Sequence, residues 1–220
     1  MKLTIFNGSG RGSKSNTTAM MNQFIHGFES IQGNKAEMIY LSGKLDAQQP
    51  VDAFLAADVA LLAFPLYVDA MPGMVKLFIE ALQPYCGREE NPTMAYFIHC
   101  GFPEPLHCRY VEQYLEKLTF RLGSEYAGTM VRGGTEGVRL MPEKMNRKLF
   151  SNLMQLGVSL GTTGKFQKEL LEKLSGIEKY PAITGLLLPV MTKMGITTSY
   201  WDQELKKHGT YHQHDAKPYV

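Results

Sequence analysis

The amino-acid sequence predicts an α/β three-layer sandwich: a five-stranded parallel sheet of order 2-1-3-4-5, with helices on both faces and a C-terminal helical extension. Three observations lead there. Short apolar runs alternate with segments whose apolar residues recur every three or four positions. Val59 to Phe64 is apolar throughout, as in a strand covered on both faces. The most unusual loops follow the first, third and fourth apolar runs. In a sheet of this order the ligand crevice lies at the carboxyl ends of strands one and three, where the strand order reverses.

The elements follow in chain order. Lys2 to Asn7 reads as the first strand. Thr17 to Phe28 carries Met20, Met21, Phe24, Ile25 and Phe28 on one helical face, with Asn16 as its N-cap. Glu37 to Leu41 is a strand, and Val51 to Ala57 is a short helix leading to the buried strand Val59 to Phe64. Pro72 to Tyr85 is a helix with proline in its first turn. Met94 to Cys100 is a strand, Pro105 to Leu122 a helix, Glu125 to Val131 a strand and Pro142 to Leu160 a helix. Beyond it lie a helical pattern from Lys165 to Ser175, an apolar stretch from Ile183 to Met191 and a polar tail from His208. The division expected is residues 1–160 as the sheet domain and 161–220 as an extension that packs on the core or on a partner subunit.

The loop after the first strand, Gly8 to Ser15, is built almost wholly from Gly, Ser, Arg and Lys and opens a helix. Small residues let the backbone curl, and the free amides at a helix N-terminus bind anions. Gly8, Gly10 and Gly12 are evenly spaced, which does not fit the dinucleotide fingerprint. Gly8 followed by Ser13-Lys14-Ser15 misses the P-loop by one residue, the second glycine. A hydroxyl-rich loop for a monophosphate, of the kind flavin mononucleotide carries, and an ordinary Gly/Ser surface turn are the remaining readings.

Composition narrows the function classes. The 220 residues carry a net charge of +2, dispersed along the chain, so neither a nucleic acid nor an anionic membrane is expected as partner. Ile183 to Met191 is too short and too interrupted by Pro189 to span a bilayer. The chain enters a strand at once, so no signal peptide is expected, and a cytoplasmic location follows. Cys86, Cys100 and Cys108 lack redox or metal spacing and read as reduced thiols.

At this point the motifs resemble a known family. Phe64-Pro65-Leu66-Tyr67, continuing through Met71-Pro72 to Lys76, is similar to the Pro-Leu-Tyr and Pro-x-x-x-Lys signature of flavodoxin-like NAD(P)H-dependent oxidoreductases. These include the NADPH-dependent FMN reductases and related quinone reductases. The first loop resembles the family's Asn-Gly-Ser-x-Arg … Ser-Asn-Thr pattern, with Gly10 where many members carry proline. Gly101-Phe102-Pro103-Glu104 resembles one branch of the family. The resemblance covers about Met1 to Leu160 and implies the flavodoxin-like fold with FMN as a non-covalent cofactor.

By that resemblance, Ser9, Arg11, Ser15, Asn16 and Thr17 surround the ribityl phosphate. Pro65, Leu66, Tyr67 and Val68 line one edge of the isoalloxazine ring, and Gly101 and Phe102 pass the other. The implied activity is hydride transfer from NADPH or NADH through flavin N5 to a small electrophilic acceptor, such as a quinone, a nitro or azo compound or free flavin, in a ping-pong scheme. The cofactor carries the chemistry, so no catalytic side chain is nominated. A homodimer is the expected assembly. Two rival readings are an electron carrier of the flavodoxin type, which is expected to be smaller and acidic, and a P-loop phosphotransferase, which wants a magnesium-binding Asp where strand three has Ala63-Phe64-Pro65. Glu104 reads as a helix-start carboxylate, and Gly133 to Gly137 as a flexible connection. His208, His212 and His214 read as part of a solvated tail.

Overall fold

The computed structural model describes residues 1–43, 48–181, 184, 192, 198–213 and 216–217. The sheet contains β1 (Lys2–Asn7), β2 (Lys35–Tyr40), β3 (Val59–Pro65), β4 (Thr93–His99) and β5 (Tyr126–Arg132), all parallel, in the order β2-β1-β3-β4-β5. The register pairs Asn7 with Ala63, Pro65 with His99, and His99 with Arg132. Four strand ends therefore finish on one rim, and the loops that leave them meet there.

Successive strand residues face opposite layers, and this alternation separates two cores. On one face Phe6, Leu62, Phe64 and Tyr96 pack under α2 (Gln48–Leu55), α3 (Gly73–Ala81) and α4 (Arg109–Leu122), which contribute Phe54, Phe78 and Leu115. On the other, Ile5, Leu61 and Phe97 pack under α1 (Asn16–Glu29) and α5 (Glu143–Thr163), which contribute Phe24, Phe28, Leu153 and Leu156. Each such side chain is worth about 1.5–3 kcal/mol of burial. Helices α1 and α5 touch backbone to backbone. A Cβ on Gly27 would lie 1.9 Å from the Met154 carbonyl oxygen, and one on Gly157 would lie 2.1 Å from that of Phe24. Only glycine permits this approach.

Element ends shift from the sequence reading where local chemistry overrides the apolar pattern. Ser15, not Asn16, caps α1: it is extended at φ −94°, ψ 158°, and its Oγ accepts from the Thr18 amide. The segments Gln83–Tyr85 and Pro105–Cys108 are 3₁₀ turns beside α3 and α4 rather than parts of them. The first compact unit also runs past residue 160, to Lys179. It includes α6 (Lys168–Ser175), because Phe166, Leu170 and Leu174 are buried in the α1/α5 core and the Phe166 amide donates to the Ala127 carbonyl at 2.9 Å.

The second unit is Tyr180–Val220. Its described part holds α7 (Ser199–Lys207), opened by a Thr198 Oγ1–Asp202 Oδ2 hydrogen bond of 3.1 Å, and a 3₁₀ turn at Tyr211–Gln213. The apolar stretch Ile183 to Met191 lies outside the described residues apart from Thr184, as does His214 of the tail. Among the described residues no helix is long and apolar enough to cross a membrane, and no cluster of His, Cys, Asp or Glu is arranged to hold a metal ion.

Candidate active site

The loop after β1 is shaped by its own polar side chains. Asn7, fully buried at the end of β1, accepts the Ser9 amide on Oδ1 at 3.0 Å and donates from Nδ2 to Thr18 Oγ1 at 3.0 Å. The Thr18 hydroxyl donates to the Gly12 carbonyl at 3.0 Å, so the Ser15 hydroxyl donates to Thr18 Oγ1 at 2.9 Å. Ser15 thus spends both its hydrogen and a lone pair inside the helix cap. The first-turn amides of α1 have no intrahelical acceptor, and Asn16 brings that helix end to a pocket wall. Ser9 lines the same pocket, 2 % exposed.

A second network ties the floor of the pocket together. His99, at the end of β4 and 3 % exposed, contacts Thr17 Oγ1 through Nε2 at 2.8 Å and Thr135 Oγ1 through Nδ1 at 2.8 Å. Burial alone holds its pKa down at about 3, so the ring is neutral. Thr135 gives its own hydrogen to the Cys100 carbonyl at 2.9 Å. It must therefore accept from His99 Nδ1–H, which leaves Nε2 to accept the Thr17 hydroxyl hydrogen. Thr17 is fully buried and its donor is committed to His99.

The Gly133–Gly137 segment is correspondingly fixed rather than a flexible connection. Asn16 Nδ2 donates to the carbonyls of Thr135 and Glu136, both at 2.9 Å, and Asn16 Oδ1 accepts the Arg139 amide at 3.2 Å. The Gly134 amide donates to the Phe102 carbonyl at 2.6 Å, and Arg139 Nη1 donates to the Lys14 carbonyl. Glu136 reaches across the pocket: its Oε1 lies 3.5 Å from Arg11 Nη2, and its Oε2 lies 3.7 Å from where a Cβ on Gly101 would stand.

The opposite end is apolar and open. Pro65, Leu66 and Tyr67 line it, and the Leu66 amide donates to the His99 carbonyl at 2.7 Å. Tyr67 and Ala70 exchange backbone bonds of 2.9 and 3.1 Å around Val68 and Asp69, whose φ angles are +50° and +59°. Such a turn suits Asn-Gly and strains a β-branched residue. Val68 is 95 % exposed, and Asp69 Oδ1 lies 3.0 Å from His107 Nδ1. The His107 ring stacks on Phe102 with centroids 4.4 Å apart, and Phe102 is 52 % exposed. Beneath this rim the Cys108 thiol hydrogen-bonds to Cys100, which lowers the Cys100 pKa, while the same bond and burial push the Cys108 thiol up.

Seven of the eleven residues singled out from the sequence therefore line one pocket: Ser9, Arg11, Asn16, Pro65, Leu66, Tyr67 and Gly101. Ser15 and Thr17 stand behind it in supporting networks, and Val68 and Phe102 project from its rim. His99, Thr135 and Glu136 complete the lining. The sequence signal for His99 was a lone polar residue at the end of an apolar strand, and for Thr135 its place in a glycine cluster on the same rim.

No family model matches this sequence, and no curated protein matches it with significance. Solved structures do match. An NADPH-quinone reductase from P. pentosaceus superposes with a TM-score of 0.54 over 74 % of this chain and 99 % of its own, at 14 % identity. The chain has the flavodoxin-like fold. An FMN-dependent NADH-azoreductase from Bacillus anthracis, solved with FMN, gives a TM-score of 0.54 over 73 % of this chain and 99 % of its own, at 15 % identity. An NADH:FMN oxidoreductase in its apo form gives 0.55 over 83 % and 98 %, at 13 % identity. This flavodoxin-like chain therefore has its pocket on the rim where strand order reverses, between the ends of β1 and β3.

Proposed function

We propose that this protein is an FMN-dependent NAD(P)H oxidoreductase. The observation that carries the reading is the polarity of its pocket. One end offers Arg11, a helix N-terminus and the Ser9 hydroxyl, a donor set suited to a phosphate. The other end offers Pro65, Leu66, Tyr67 and Gly101, suited to the edge of a flat ring. The solved structures of like fold include enzymes named for FMN, NADH and NADPH, which supports the same cofactor here.

Bound FMN supplies hydride acceptance from NADPH or NADH and delivery, in a ping-pong sequence, to a small electrophile such as a quinone, a nitro or azo compound or free flavin. The chain's own part is positional. Ser9, Arg11 and the α1 N-terminus hold the phosphate, and Ser15 and Thr17 hold that loop in shape from behind. Pro65 to Tyr67 and Gly101 exclude water from the ring edges, while Val68 and Phe102 flank the open side where acceptors enter. Neutral His99 fixes the floor without carrying charge to it. The reading extends to a cytoplasmic location and to a homodimer, the latter supported by the exposed Tyr110, Tyr114 and Phe120 of α4.

The test is the visible spectrum of the purified protein, before and after NADPH or NADH is added without oxygen. Flavin bands that bleach within seconds are expected. Bands that persist with both nucleotides indicate an electron carrier. A protein that takes up no FMN overturns the assignment.

A further inference from the structure

Among the described residues that line the candidate pocket, Arg11 is the one permanent cation and Glu136 the one carboxylate. The two face each other from different loops, with Arg11 Nη2 3.5 Å from Glu136 Oε1. The backbone beneath Glu136 is fixed. Asn16 Nδ2 donates to the carbonyls of Thr135 and Glu136, both at 2.9 Å, and the Thr135 amide donates to the Cys100 carbonyl at 3.1 Å. The side chain is held less firmly. Arg11 and Glu136 are each more than half exposed, and an ion pair so placed opens at little cost. Asn16, the first residue of α1, ties this carboxylate beside the helix end that attracts anions.

We propose that Glu136 is an internal competitor for Arg11: it pairs with the guanidinium that a phosphate monoester would engage, and so sets how tightly a phosphate-bearing cofactor is held. The identity of that cofactor rests on the reductase reading above. A phosphate takes an arginine through two parallel N–H···O bonds, a stronger arrangement than one long contact to a carboxylate. The exchange therefore runs towards the phosphate, with the Glu136 side chain turning outward. Its anchored backbone keeps the displaced carboxylate near a group that carries about two negative charges, and this repulsion lowers the affinity. Riboflavin, which has the same ring and no phosphate, brings no anion to Arg11 and leaves the pair in place.

Flavin fluorescence titration of the whole protein tests this without reliance on turnover. Glu136→Gln keeps the side-chain size and removes the charge, and FMN should then bind about fivefold tighter. Riboflavin binding should change by less than about twofold, a split that a merely structural role would not produce. In protein that also carries Arg11→Gln, the gain for FMN from Glu136→Gln should shrink below about twofold, because nothing remains to compete for. Both side chains are exposed, so the variants are expected to fold, and an unchanged Tm checks it. FMN affinity that is unchanged or lowered in Glu136→Gln overturns the proposal. So does an equal gain for the two flavins, or a full gain for FMN without Arg11. Failure of the reductase reading has a separate signature, which is no FMN uptake by wild type or variant. The competition is then read by phosphorus NMR titration with inorganic phosphate: tighter binding to Glu136→Gln than to wild type supports it, and equal binding or none overturns it.

Discussion

The two ends of the candidate pocket are built on opposite principles. At the end proposed for the phosphate, Asn7, Ser15, Asn16, Thr17, His99 and Thr135 are buried, and each is hydrogen-bonded within the chain. At the opposite, apolar end, Val68 and Phe102 stand in solvent, and the turn that carries Val68 holds two non-glycine residues at positive φ. One end is a finished interior network, and the other is an open, strained rim. The contrast suits the proposed function, in which one ligand is held and others exchange, because buried networks resist rearrangement while exposed loops open at low cost.

The largest effect that can break this contrast is removal of the central imidazole. His99→Ala leaves two hydroxyls facing a dry void and should destabilise the protein by about 3 kcal/mol, read as a lower midpoint in urea unfolding. The same residue sets a pH signature. Its folded pKa, about 3, lies below its unfolded value, so the unfolded chain binds more protons as pH falls below about 6.5. The stability His99 contributes is fully present above that pH and is lost towards pH 3, with a slope of about 1.4 kcal/mol per pH unit. Unfolding curves of the wild type and His99→Gln, compared across this range, should differ in slope; parallel curves would show that the ring is not held neutral.

Asn16→Ala comes next. It deletes two donor bonds and one acceptor bond between the two loops, worth about 2 kcal/mol, and amide exchange across residues 133–139 should accelerate. At the open end the sign reverses. Val68→Asn relieves a β-branched residue at φ +50° and should stabilise by about 1 kcal/mol, seen as a higher Tm; a lower Tm would mean that the turn is not strained. Smallest in stability is Arg11→Ala. Its 3.5 Å pair with Glu136 is well over a third exposed, so unfolding should change by less than about 0.5 kcal/mol. The affinity for FMN should fall all the same, which fluorescence titration against riboflavin resolves.

Much of this was legible along the chain. The strands announce themselves as short apolar runs, and the loops at their ends carry the small and hydroxyl residues that place the pocket. The roles within the loops were less legible. Ser15 and Thr17 look like ligand hydroxyls in sequence, yet three-dimensional neighbours claim both, Thr18 for one and His99 for the other. His99 itself is 82 residues from Thr17 and 36 from Thr135, separations that no local pattern encodes.

The sequence by itself determined the α/β layering, because apolar periodicity and crossover rules act on neighbouring segments, while the strand order and the shared rim followed from the resemblance to flavodoxin-like proteins. The tertiary structure decided which hydroxyls are free, the tautomer of His99, the fixing of Gly133 to Gly137 and the inclusion of α6 in the core. Those depend on which donor meets which acceptor across the fold, and a hydrogen bond is settled by distance in space rather than by distance along the chain.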